Sequence, residues 1–234
     1  MTRFNQYQQP IGDALPDWQP VSAPPRVTVS GRYCRLEPLS HRHADALLSA
    51  YAQAADERDW TYLTGARPKD IDECRAWIEE KVADPALVPV AIVDQRTEQA
   101  VGIACYMRID SNNGVLELGH LTWSPLMQRT VLGTEALWLM LKTTFELGYR
   151  RCEWKCDSLN APSRKAAERL GFRWEGTFRQ MMARHNRNRD TDWLSIIDGE
   201  WPAIDRAIQH WLDPQNFTAD GKQIQRLESL HRTV

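Results

Sequence analysis

Residues 115–123 read VLELGHLTW, an apolar run holding one carboxylate and one imidazole, Glu117 and His120. Side chains of these two types act as general bases toward a nucleophile. A glutamate flanked by Val115, Leu116 and Leu118 is costly to bury alone, so it either does chemistry or pairs with a nearby arginine. On a strand, successive side chains alternate between faces. Glu117 then lies with Val115 and Gly119, and His120 with Leu118 and Thr122, unless a bulge intervenes. Gly119 is expected to leave space beside the carboxylate for a reacting group or a water.

Two polar clusters follow. Gln128, Arg129 and Thr130 lead into Val131, Leu132, Gly133 and Thr134, where a helical pattern begins. Backbone N–H groups at a helix start, with the positive end of the helix dipole, form an anion site. The bland reading is a plain polar connection. Asn160 is suited to cap a second helix, with Ser163 at its third position. The five cysteines, Cys34, Cys74, Cys105, Cys152 and Cys156, are odd in number and widely spaced, which is no disulfide framework. Cys152 and Cys156 have no further Cys or His cluster beside them, so buried thiols are expected and no metal site.

The elements that must position these groups form a βαβ unit over residues 114–176. A strand at 115–123 and a polar turn precede a helix with Leu137, Met140 and Leu141 on one stripe, ended by Gly148. A strand from Cys152 to Cys156 follows, then a short helix opened by Asn160, with Pro162 in its first turn and Gly171 past its end. The two strands are expected to be parallel. Earlier, residues 26–36 suggest a hairpin turning near Ser30 and Gly31. Helices are expected from Ser40 to Ala54 and from Asp70 to Ala83, and antiparallel strands at 88–93 and 101–109. Arg173 to Ala183 and Trp193 to Ile197 read as a last strand pair, with the polar run His185 to Asp190 between them. Trp201 starts a helix to about Leu212, and Gln223 to Leu230 suggests another.

The bulk properties bound the class. Of 234 residues, 42% are hydrophobic and 26% charged, an ordinary globular balance. A formal net charge of −2 argues against nucleic acid as the main partner. No apolar run reaches the length of a membrane span, and the first residues lack a signal peptide's apolar core, so a cytoplasmic protein without a membrane partner is expected. Residues 1–25 hold five of the thirteen prolines and read as an extended arm. The domain proper is expected over 26–200 and a helical C-terminal extension over 201–234.

Four segments in order, Glu117-Leu118-Gly119-His120, Gly133 to Leu137, Asn160 with Ser163, and Arg169-Leu170-Gly171-Phe172, resemble the GNAT acetyltransferases. The branch they resemble is that of the ribosomal-protein N-acetyltransferases. The resemblance is clear from Trp60 to Trp201. It implies an α/β (mixed α+β) GNAT fold: a central, mostly antiparallel sheet of about seven strands with a splayed parallel pair and helices on both faces. The order of elements read above agrees.

The resemblance also implies acetyl-CoA as cofactor and a primary amine as acceptor, on a small molecule or a protein N-terminus. In the family a loop patterned Arg/Gln-x-x-Gly-x-Gly/Ala holds the pyrophosphate of coenzyme A; here Gln128 to Gly133 match, with Val131 in place of the first glycine. A β-branched residue is costly at positive φ, so either φ stays negative at Val131 or the loop differs in shape. The matching Asn160 contacts the pantetheine arm, and the matching Ser163 lies near the sulfur and is the candidate to meet the departing thiolate. Many relatives use a tyrosine near this point, and residues 160–169 hold none. Backbone N–H groups of Leu121, Thr122 and Trp123 are the counterpart of the family's carbonyl-polarising donors. Glu117 is the expected base and His120 its rival. Trp60 and Tyr62 fall in a loop that lines the acceptor site in relatives. Arg179, Arg184, Arg187 and Arg189 border the last hairpin, either as a solvated face or to hold an acidic acceptor or neighbouring subunit. A silent acyl-CoA-binding module, an interaction scaffold and a homodimer all stay open.

Overall fold

The computed structural model describes residues 3–231. The arm holds one small hairpin, β1 (Arg3–Phe4) against β2 (Pro10–Ile11). Two strands, β3 (Val29–Ser30) and β4 (Cys34–Pro38), precede the helices α1 (Ala44–Tyr51) and α2 (Ile71–Ala83). Then come β5 (Leu87–Asp94), β6 (Gln99–Asp110) and β7 (Val115–Trp123), the helix α3 (Val131–Glu146), β8 (Arg151–Asp157) and α4 (Ala161–Arg169). A hairpin of β9 (Arg173–Arg184) and β10 (Arg187–Ile197), then α5 (Trp201–Leu212) and α6 (Leu227–Leu230), completes the chain. Eight strands make one sheet in the order β3-β4-β5-β6-β7-β8-β10-β9. All neighbours in it are antiparallel except β7 and β8. The sheet has eight strands where about seven were expected, because the two-residue β3 pairs at the edge.

Period-2 and period-3.6 patterns explain most of this. In β8 the buried residues are Cys152, Trp154 and Cys156, while Arg151, Glu153, Lys155 and Asp157 take the other face. One core cluster packs Leu116 and Leu118 of β7 against Leu137, Met140 and Leu141 of α3 and Ile204 and Ile208 of α5. The second packs Ala91, Val93 and Ile103 against Leu47 and Tyr51 of α1 and Cys74 and Ile78 of α2. Helices therefore cover both faces. Asp70 caps α2 by accepting from the Glu73 amide at 2.8 Å.

Three expectations change. The first helix begins as a 3₁₀ turn at His41–His43 and is α-helical only from Ala44. The polar run His185 to Asp190 is no loop: only His185 and Asn186 turn, both at positive φ, and Arg187 to Asp190 belong to β10. A ladder of backbone bonds overrides the low strand propensity of those side chains. The last helix shrinks to one turn, Leu227–Leu230. All five cysteines are free and buried. Among the described residues no helix is long and apolar enough to cross a membrane.

Candidate active site

The site opens where the parallel pair stops pairing. β7 and β8 share register only from Val115 to Glu117, opposite Arg151 to Glu153. Beyond Glu117 they part, and a cavity of about 2110 Å³ runs through the gap. It reaches from the start of α3 and α4 on one side of the gap to the β9–β10 hairpin on the other.

Glu117 is 4% exposed and faces this gap. Its Oε2 accepts from Arg108 Nη1 at 2.6 Å and lies 2.9 Å from Lys155 Nζ. Lys155 also pairs with Glu153 at 2.8 Å and sits over the Trp193 ring. The ion pair, one of the two roles left open by the sequence, forms through a single oxygen. Both cations hold Oε2, whereas Oε1 lies beside Gly119, 3.4 Å from where a Cβ would stand. That Cβ would also meet Met107 Sδ at 2.3 Å, so the space Gly119 was expected to leave beside the carboxylate is taken by a flexible methionine side chain.

The alternation argument fails at His120. Ile103 pairs with Thr122 and Cys105 with Gly119, so β7 carries one extra residue between 119 and 122. His120 sits in this bulge at φ +49°. Its neighbours in charge are Lys81, Arg108, Asp84 and Glu80, the first and the last two from α2 and the loop after it. Arg108, the partner of Glu117, thus acts on both candidates. Burial above all, then the charges of Lys81 and Arg108, pushes the His120 imidazole below its usual pKa. A neutral imidazole is the form that accepts a proton.

At the other end Thr130 caps α3, its Oγ1 accepting from the Gly133 amide at 3.2 Å. Val131 is the first residue of the helix, and the positive φ of this loop falls on Arg129 at +59°. The β-branched residue is therefore unstrained. Like other first-turn amides, those of Val131 and Leu132 have no partner within the helix. A Cβ on Gly133 would meet the Met127 carbonyl oxygen at 2.6 Å, which keeps loop and helix in close contact. Gln128 donates to Asp59 and to the Trp123 carbonyl. Asn160 caps α4 by accepting from the Ser163 amide at 3.2 Å. Ser163 Oγ accepts from Trp154 Nε1 at 3.0 Å.

The loop residues divide. Trp60 is buried although it lies in the segment between α1 and α2. It is 8% exposed and packs edge-on against Tyr51, with ring centroids 5.4 Å apart, in the α1–α2 core; one edge reaches the cavity. Tyr62 is half-buried at the cavity wall, and its hydroxyl donates to the Leu159 carbonyl at 3.2 Å.

Several lining groups escaped sequence reasoning. Arg108 stands in a second register shift, at φ +46°, that turns it toward Glu117. Lys155 was legible only as the polar half of an alternating strand. The Trp123 and Trp193 indole N–H groups, the Thr191 hydroxyl and Arg189 Nε are buried along the cavity with no partner among the described residues. A buried orphan of this kind costs about 1–3 kcal/mol, which marks the cavity as built for polar contents. Among the described residues no group of Cys, His, Asp and Glu is arranged to hold a metal.

The sequence matches the acetyltransferase (GNAT) domain family over residues 34–173. A GCN5-related N-acetyltransferase from Brucella melitensis is 41% identical, with a TM-score of 0.91; the match covers 93% of this chain and all of that one. A probable acetyltransferase of the GNAT family from Chromobacterium violaceum is 40% identical with a TM-score of 0.78, over 83% of this chain and 98% of the other. No curated protein matches. This chain belongs to the GNAT acetyltransferase family. A Vibrio cholerae structure carrying the name ribosomal-protein-serine acetyltransferase is 20% identical, with a TM-score of 0.64, over 75% of this chain and 99% of that one. At that identity the likeness is one of fold, and membership in the ribosomal-protein branch does not follow from it.

Proposed function

We propose that this protein transfers an acetyl group from acetyl-CoA to a primary amine by direct attack. The observation that carries the reading is the divided role of Glu117 at the strand gap. Two cations anchor Oε2, and Oε1 accepts no hydrogen bond from the described residues, in a side chain that lines the cavity. A carboxylate so fixed is oriented to receive an ammonium and relieve it of a proton.

The residues present fit coenzyme A. The capped start of α3 offers backbone N–H groups to a pyrophosphate, with Arg129 beside it, and Asn160 and Ser163 border the path toward the gap. The Trp123 indole N–H, buried without a partner, is a donor awaiting an acceptor in this cavity. When bound, acetyl-CoA supplies an activated acyl group on a thiol leaving group. Past Glu117, β7 has no β8 partner, which supports Leu121 to Trp123 as the source of backbone donors to a developing oxyanion. Ser163 Oγ is fixed by the Trp154 indole and lines the cavity, which supports Ser163 as the group that meets the thiolate.

His120 is the second candidate for the base. The bulge and the shared neighbour Arg108 favour it over its reading from strand alternation. The acceptor is either a small molecule or a protein N-terminus. Coenzyme A release measured over a panel of small amines and peptides tests the proposal. Turnover of at least one amine with transfer of its acetyl group is the expected result. Tight coenzyme A binding with no turnover across the panel would replace it with a silent acyl-CoA-binding module.

A further inference from the structure

We propose that the acceptor amine is a small molecule carrying a carboxylate, held at the hairpin end of the cavity by Arg184 and Arg189 with the Thr191 hydroxyl and the Trp193 indole. The inference rests on the acetyltransferase reading and narrows it to a substrate class.

Arg189, Thr191 and Trp193 alternate along β10 and so share one face of that strand. Arg189 Nε, Thr191 Oγ1 and Trp193 Nε1 are each buried without a hydrogen-bond partner among the described residues. All three side chains line the cavity, as does Arg184 from β9. Three orphaned polar atoms in a row, with two guanidiniums, is a set dominated by donors. Its missing complement is an acceptor with several lone pairs and a negative charge.

The charge balance points the same way. Neither Arg184 nor Arg189 has a carboxylate within ion-pair distance among the described residues. Arg184 makes only long contacts, 3.4 Å to the Tyr62 carbonyl and 3.9 Å to Met182 Sδ. Burial, then the charge of Arg189, pushes its guanidinium pKa down; Arg108 adds to this and Asp157 opposes it. Glu117 is already held by Arg108 and Lys155, and Glu153 by Arg151 and Lys155; Asp157, which also lines the cavity, lies beyond ion-pair distance of both guanidiniums. Arg179 and Arg187 of the same hairpin are exposed, so the solvated-face reading covers them and leaves Arg184 and Arg189 unexplained.

The tip of the hairpin is tied to the loop after α1. Arg184 reaches the Tyr62 carbonyl, and the His185 ring lies 3.2 Å from the Leu63 carbonyl. A mouth bridged in this way suits a compact acceptor better than a polypeptide. Its positive lining disfavours a polyamine.

The test uses the intact protein with acetyl-CoA and matched acceptors: an ω-amino carboxylate, its amide, an aminoalkyl phosphate, a polyamine, and a peptide with an acidic first residue. Coenzyme A release is the readout. The carboxylate is expected to exceed its amide in kcat/KM by roughly 10²–10⁴-fold. Arg184→Ala and Arg189→Ala should each raise KM for the carboxylate by a larger factor than for the amide, narrowing the preference between them. Arg189→Lys should recover part of the loss. Equal use of carboxylate and amide, or preference for the phosphate, the polyamine or the peptide, would overturn the assignment. Binding is read apart from turnover by quenching of tryptophan fluorescence with the ω-amino carboxylate alone. Saturable quenching that Arg189→Ala abolishes, in a variant with a native melting curve, supports the subsite even if no amine is acetylated. Absence of quenching in the unaltered protein would overturn it.

Discussion

In the proposed reaction Glu117 is the residue whose change should cost most. Both of its cationic partners hold Oε2, so changing the residue tests basicity and the ion pairs separately. Glu117→Gln keeps the shape and removes the basicity; kcat at neutral pH should fall by roughly 10²–10⁴-fold, while coenzyme A affinity hardly changes. The deficit should shrink as pH rises, because the amine then loses its proton unaided. Loss of one charge also leaves Arg108 and Lys155 facing a neutral amide, so a lower melting temperature is expected and must be measured beside the rate. His120→Ala is the companion variant. If it is dead yet folded while Glu117→Gln is fully active, the base is the imidazole in the bulge. The residue types at 117 and 120 were legible in the sequence. The geometry relating them was not, because a one-residue bulge leaves no mark on an apolar run.

At the scale of elements, the βαβ unit around the gap was readable from its periodicity, its caps and its glycines. Thr130 and Asn160 cap α3 and α4, and the polar and apolar halves of β8 alternate as the letters do. The burial of Trp60 was not legible because a loop position says nothing about which way an indole turns, and Tyr51 and Trp77 offer it a buried aromatic corner. The turn before α3 makes a prediction of its own. Gly133→Ala places a Cβ 2.6 Å from the Met127 carbonyl oxygen, a backbone atom that cannot yield without moving the loop. Titration calorimetry should show weaker coenzyme A binding, with activity recovering at high coenzyme concentration. Unchanged affinity would detach the cofactor from this loop.

β4 carries a stability prediction. Burial disfavours the ionised Glu37 carboxyl, but hydrogen bonds from His43 and Arg35 and the charge of Arg42 outweigh it and hold the pKa at about 2. Its unfolded value is about 4.3. The folded state therefore gains stability from this group above that value and loses the gain as pH falls through about 2. Melting temperature between about pH 5 and about pH 2 should drop more steeply in the native protein than in Glu37→Gln. Parallel curves would remove Glu37 from the acid response.

For the molecule as a whole, composition and element order were enough to reach a mixed sheet with helices on both faces, because those features follow from local patterns. The cavity is a different kind of object. It exists because β7 and β8 pair over only three residues and then separate, and because the β9–β10 hairpin bends back to the loop at 62–63. Contacts over such separations, as between Tyr62 and Arg184, have no local signature, so the orphaned donors of β10 emerged only with the fold. Acetyl transfer is proposed to occur in this gap. The most direct measurement is a crystal structure of the protein with acetyl-CoA bound. It should show the pyrophosphate against residues 129–134, the pantetheine between β7 and β8, and the thioester beside Gly119 to Trp123 on the side of Glu117 Oε1. A cofactor bound elsewhere, or a thioester on the far side of β7 from Glu117, would contradict it.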